Sequence, residues 1–166
     1  MRVRPTETDE ARGAPDASAR GAVPGDVLLH PAAAASVALI VFTDVVLKPS
    51  WPGVLSGKLA DVGICFLLPL ALVALFEWLA FGLSWLGGRP WRPAGRPVHT
   101  LACVIAALYF AALQLSPSFV ELHLATLHAA FPGHRFVVTP DPWDLLTSPM
   151  TLLAWLHLGR LERSAV

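Results

Sequence analysis

The chain has 166 residues, 55% of them hydrophobic and only 14% charged, with a formal net charge of zero and a mean hydropathy of +0.59. Soluble domains carry roughly 25% charged residues, and a deficit of this size excludes an ordinary soluble fold. Zero net charge, with no basic cluster interleaved with aromatics, gives no support to a nucleic-acid partner.

The chain opens with a tail over residues 1–29, of which residues 1–26 are polar, mixed in charge and rich in Arg, Pro, Gly and Ala. They lack the basic start and apolar core of a signal peptide. With little apolar surface to bury, they read as a disordered cytoplasmic tail.

The first apolar run covers residues 31–47. Pro31 suits a helix start, where a missing N–H costs nothing. Lys48-Pro49 is expected to end the run, because the residue before a proline is pushed out of helical geometry. The second run, residues 59–86, exceeds the roughly 20 residues needed to cross hydrocarbon, so it can tilt. Pro69 lies inside it and predicts a kink. The third run, residues 98–115, stops at Ser116-Pro117. Residues 119–131 are apolar on one side and carry Glu121, His123 and His128. That stretch is too short to span and suits an amphipathic helix at the interface. A fourth span is expected over residues 144–160, followed by a short tail at 161–166. The fold class is therefore an all-α integral membrane protein: a four-transmembrane-helix bundle over residues 30–160, with an amphipathic interfacial helix between helices 3 and 4.

Basic residues set the orientation. Arg2, Arg4, Arg12 and Arg20 lie in the tail, Arg89, Arg92 and Arg96 in the second connection, and Arg160 and Arg163 at the end. The other side holds only Lys48, Lys58 and Arg135. The positive-inside rule then puts both termini in the cytoplasm. Cys65 and Cys103 fall at different depths in this arrangement and read as small buried hydrophobes.

Lys48 and Lys58 are the only lysines in the chain, and they flank the hinge between the first two runs. Asp44 precedes Lys48 by four residues and Asp61 follows Lys58 by three, so each pair can share a helix face. Asp141 and Asp144 precede the fourth span on the same side. Asp141-Pro142-x-Asp144 also reads as a helix start, with Asp141 as N-cap and Pro142 as the first helical residue. Together Asp44, Lys48, Lys58, Asp61, Asp141 and Asp144 form a candidate binding cluster at the outer leaflet. Ionisable residues at membrane spans mark functional sites by default.

Other polar residues carry less. His123 and His128 stand about 140° apart on a helix, no H-E-x-x-H occurs, and no metal site is expected. Glu77 is the only glutamate inside a predicted span, and it reads as an interfacial or helix-pairing residue. Ser56 and Lys58 suggest a nucleophile and base only if a loop brings them together.

The strings Asp44-x-x-Leu47-Lys48-Pro49, Gly57-Lys58-Leu59-x-Asp61-x-Gly63 and Asp141-Pro142-x-Asp144-Leu145 resemble a family of small, uncharacterised bacterial multi-pass membrane proteins. The usual strings of that family are close to GKLSDFAGL and DPTDL. Ala60, Val62 and Trp143 depart from that pattern, and the resemblance runs from about residue 40 to 150. It implies a bacterial inner membrane and implies that these positions belong together; it carries no activity or cofactor.

The expected function is a non-enzymatic or accessory membrane protein. Its outer cluster would bind a lipid headgroup, small anion or other ion, or a membrane-protein partner such as a second copy of the chain. The alternatives are a membrane-embedded enzyme acting on a lipid or envelope precursor using the same residues and, third, a subunit of an oligomeric transporter.

Overall fold

The computed structural model describes residues 23–51 and 53–164. Among them the chain is helical almost throughout, with no strand. Three helices are long and apolar enough to cross a membrane: Pro31–Ser50, Ser56–Leu86 and Arg96–Leu115.

Helix α1 (Pro31–Ser50) begins as expected. His30 is its N-cap and accepts from the Ala32 N–H at 3.2 Å, with Pro31 in the first helical position. It does not stop at Lys48-Pro49. Residues Thr43–Leu47 widen into a π-turn, in which the Lys48 N–H donates to the Thr43 carbonyl, and the helix continues through Pro49 to Ser50. A proline ring clashes with the carbonyl four residues earlier and donates no hydrogen bond. The wider turn removes that conflict without ending the helix.

Helix α2 (Val54–Leu86) starts five residues earlier than expected. The Ser56 hydroxyl donates to the Gly53 carbonyl at 2.8 Å and accepts from the Gly53 N–H at 3.3 Å, so one side chain occupies two backbone groups at the helix start. At 33 residues α2 is the longest element, and Pro69 lies buried within it. Helix α3 (Arg96–Leu115) ends at Ser116, which caps helix α4 (Pro117–Ala130) by accepting from the Phe119 N–H at 3.3 Å. The phenol of Tyr109 on α3 meets Nδ1 of His123 on α4 at 2.6 Å, which ties α4 to the wall of α3. The last part of the chain differs from the expected span over residues 144–160. Residues Pro142–Thr147 form a separate 3-10 turn, and helix α5 begins at Pro149 and runs to Ser164. Pro149 has no N–H to carry a helix inward from the turn, and it suits a fresh first position. With 16 residues, α5 is not among the three helices long and apolar enough to cross.

Helix α2 is the axis of the bundle. Its Leu70, Val73 and Ala74 pack with Ala33 of α1, Ala102 and Cys103 of α3, and Ala154 and Leu158 of α5. Small residues set the spacing. A Cβ on Gly63 would stand 2.7 Å from Cγ1 of Ile40 and 3.1 Å from the Ser36 carbonyl, so α1 rests directly on the α2 backbone. Cys65 and Cys103 are both buried and free.

The expected tail over residues 1–29 is only partly within view, since residues 1–22 lie outside the described residues. Residues 23–29 depart from the expectation. They form a turn and a short 3-10 helix, Asp26–Leu29, with Val27 buried in the core. The fastening is Glu77, itself only 6% exposed. One carboxylate oxygen accepts from the Gly25 N–H at 2.9 Å and the other from the Ala94 N–H at 2.9 Å. Gly25 takes φ +78°, a conformation L side chains rarely adopt, and packs under the Trp78 indole. Glu77 is thus a clamp joining three stretches of chain rather than a helix-pairing residue.

Candidate functional site: a charged cluster at the Lys58 end of the bundle

Helix α2 supplies the first two groups. Because the helix starts at Val54, Lys58 and Asp61 both lie in its opening turns. The spacing predicts that they pair with one another; instead, Lys58 Nζ donates to Oδ1 of Asp144 at 2.8 Å, across 86 residues. Both side chains are partly buried, at 24% and 16% exposure.

Three bonds hold Asp144 over the α2 start. Asp141 caps the 3-10 turn as expected, its Oδ1 accepting from the Trp143 N–H at 2.9 Å. The Asp141 N–H donates to Oε1 of Gln114, near the end of α3, at 2.9 Å. The Thr147 hydroxyl donates to the Asp144 carbonyl at 2.7 Å and also lies 3.5 Å from the Cys65 sulfur on α2. The turn is therefore pinned to α3 and α2 before its carboxylate reaches Lys58. A local i, i+3 pairing loses because this anchored carboxylate is delivered onto the lysine from outside the helix.

The Asp61 carboxyl adjoins that of Asp144 and lies in the field of both Lys48 and Lys58. Asp141 also acts on Lys58. On α1, Asp44 and Lys48 form the expected i, i+4 pair at 2.6 Å, with each side chain about half exposed. Thus all six residues singled out from the sequence share one end of the bundle. Lys58, Asp61 and Asp144 are its centre, Asp141 belongs to the supporting turn, and Asp44–Lys48 forms the rim.

The chemistry open to this arrangement is limited by its charges. Four carboxylates stand against two ammonium groups. Among the described residues no group of three or more His, Cys, Asp or Glu side chains is placed to hold a metal ion. The Ser56 hydroxyl is occupied by Gly53, so it does not form a nucleophile–base pair with Lys58. What remains is a polar cluster presenting both signs of charge beside an apolar bundle.

Three participants were not singled out from the sequence. Gln114 is the only carboxamide side chain in the chain, and a lone amide near the end of an apolar run is a signal that could have found it. Thr147 carries no such signal. Thr43, in the π-turn beside Asp44, is fully buried, and its hydroxyl has no hydrogen-bond partner among the described residues. A π-turn at such a place often accompanies a functional site.

No protein-family model, curated protein or solved structure matches this chain.

Proposed function

We propose that the chain is a four-span protein of the bacterial inner membrane, with both termini in the cytoplasm, whose outer Asp/Lys cluster binds a polar ligand at the membrane surface. The observation that carries this reading is the 2.8 Å Lys58–Asp144 bond with Asp61 against it. It joins charges from opposite ends of the chain at one end of an apolar bundle, where isolated ionised groups are costly. A purely structural ion pair needs one carboxylate; this one has three in its field.

The fourth span draws support from length and packing. The 3-10 turn Pro142–Thr147 and helix α5 together reach roughly 36 Å, more than the hydrocarbon thickness of about 30 Å. Ala154 and Leu158 of α5 are buried in the shared core. The excess of arginine on the Glu77 side supplies the orientation.

Topology is checked by labelling single cysteines from outside intact cells. Label should reach positions 54 and 138 and spare position 92; the reverse pattern inverts the orientation. Binding is checked by titrating the purified protein, in neutral detergent, with a bacterial polar-lipid extract. The melting temperature of the wild type should rise, and Asp61→Asn and Lys58→Met should abolish the rise while the folded yield is kept. If both variants instead fail to fold, and exchanging the charges of Lys58 and Asp144 restores folding, the cluster is a structural pair and the binding reading is lost.

A further inference from the structure

The cluster does not stand alone at its end of the bundle. A groove of about 310 Å³ runs between α3 and α5, walled by Cys103, Val104, Ala107, Thr151, Leu152 and Trp155. Its polar atoms are already engaged. The Thr151 hydroxyl donates to the Ser148 carbonyl, and the Trp155 indole N–H donates to the Thr100 hydroxyl at 3.0 Å, which closes the far end. What the groove offers an occupant is apolar surface.

Along the bundle axis the groove lies between the cluster and the Thr100–Trp155 bond. Thr151 lies one helical turn beyond Thr147, whose hydroxyl holds the Asp144 carbonyl. Ala107 lies two turns before Gln114, which holds the Asp141 N–H. Along either helix the upper end of the groove is about 10 Å from the charged residues. A polar cluster and an apolar groove at that separation have the layout of a headgroup and an acyl chain.

Charge then selects the headgroup. With every group ionised, Asp44, Asp61, Asp141 and Asp144 leave two negative charges in excess over Lys48 and Lys58. A purely anionic headgroup enters against that excess and offers the carboxylates no donor with positive charge. A divalent cation meets two ammonium groups and, among the described residues, no cage of three ligands. A primary amine is favoured by the excess charge and can be accepted by the adjoining Asp61 and Asp144 carboxyls. A phosphate on the same headgroup suits Lys48, whose partner Asp44 is half exposed and easily exchanged.

Resting on the binding function proposed above, we infer that the ligand is an aminophospholipid: its amine sits at Asp61 and Asp144, its phosphate at the lysine rim, and one acyl chain in the α3–α5 groove. The test is a native mass spectrometry titration of the protein in neutral detergent with three probes. These are phosphatidylethanolamine, phosphatidylglycerol with the same acyl chains, and soluble glycerophosphoethanolamine. Loss of a charge-assisted hydrogen bond corresponds to about tenfold or more in affinity. Phosphatidylethanolamine should bind about tenfold tighter than phosphatidylglycerol, and Asp61→Asn, near-isosteric, should erase that preference. Val104→Phe, at the half-exposed edge of the groove, should weaken both lipids. Equal or tighter binding of phosphatidylglycerol, lost in Lys58→Met, overturns the amine assignment but leaves the cluster as a binding site. Soluble glycerophosphoethanolamine binding as tightly as the lipid overturns the groove. Binding of all three probes unchanged in Asp61→Asn and Lys58→Met overturns both the inference and the function on which it rests.

Discussion

The two ends of the bundle use carboxylates in opposite ways. At one end Glu77 is almost fully buried, and each of its oxygens takes a backbone N–H, from Gly25 and from Ala94. Those donors belong to the main chain, so their positions are fixed once the segments fold. At the other end Asp61 and Asp144 gather around Lys58 through side chains, partly open to the surroundings, while Asp141 caps the turn that supports them. Side-chain partners can be exchanged for a ligand; backbone partners cannot without unfolding a segment. The contrast separates a carboxylate that holds the fold from the carboxylates to which we assign ligand binding.

The sharpest way to break this comparison is at Glu77. Glu77→Leu leaves one buried and one part-buried N–H without acceptors, and at about 1–3 kcal/mol for a buried group unfolding in detergent should show a loss of roughly 1–4 kcal/mol. Glu77→Gln keeps one carbonyl oxygen and should lose about half of that. If both variants unfold like the wild type, the clamp is not holding residues 23–29 and the contrast fails.

A smaller effect separates centre from rim at the Lys58 end. Lys58→Met strands the partly buried Asp144 and should give the larger loss of stability. Lys48→Met removes a half-exposed pair and should cost less than about 1 kcal/mol. Equal costs in the same unfolding assay would remove the distinction between an anchored centre and an exchangeable rim.

The smallest effect has the opposite sign. Thr43 is fully buried with a hydroxyl that has no partner among the described residues. Thr43→Val removes that group at nearly constant shape and should raise stability by up to about 1 kcal/mol. A loss of stability would show that the hydroxyl is used, and would extend the cluster to the π-turn.

Local features made much of this legible beforehand. The apolar runs located three long helices, Pro31 and Pro117 marked helix starts, and Asp141 announced the cap of a turn. The i, i+4 pair of Asp44 and Lys48 followed from helix geometry alone. Boundaries failed where prolines had two outcomes: Pro49 was absorbed by a π-turn, whereas Pro149 began a new helix. A short sequence window contains nothing to choose between those responses.

Sequence by itself determined an all-helical, strongly apolar chain and the six charged residues that deserve testing, because run length, proline placement and helical spacing act over a few residues. Tertiary structure alone decided that Lys58 bonds Asp144 rather than Asp61, that Gln114 and Thr147 position that carboxylate, and that Glu77 secures residues 23–29. Those outcomes depend on how each helix is rotated and how deep it sits against its neighbours. That is set by side-chain packing around Gly63, Leu70 and Ala102, over separations of up to 86 residues that no local pattern encodes.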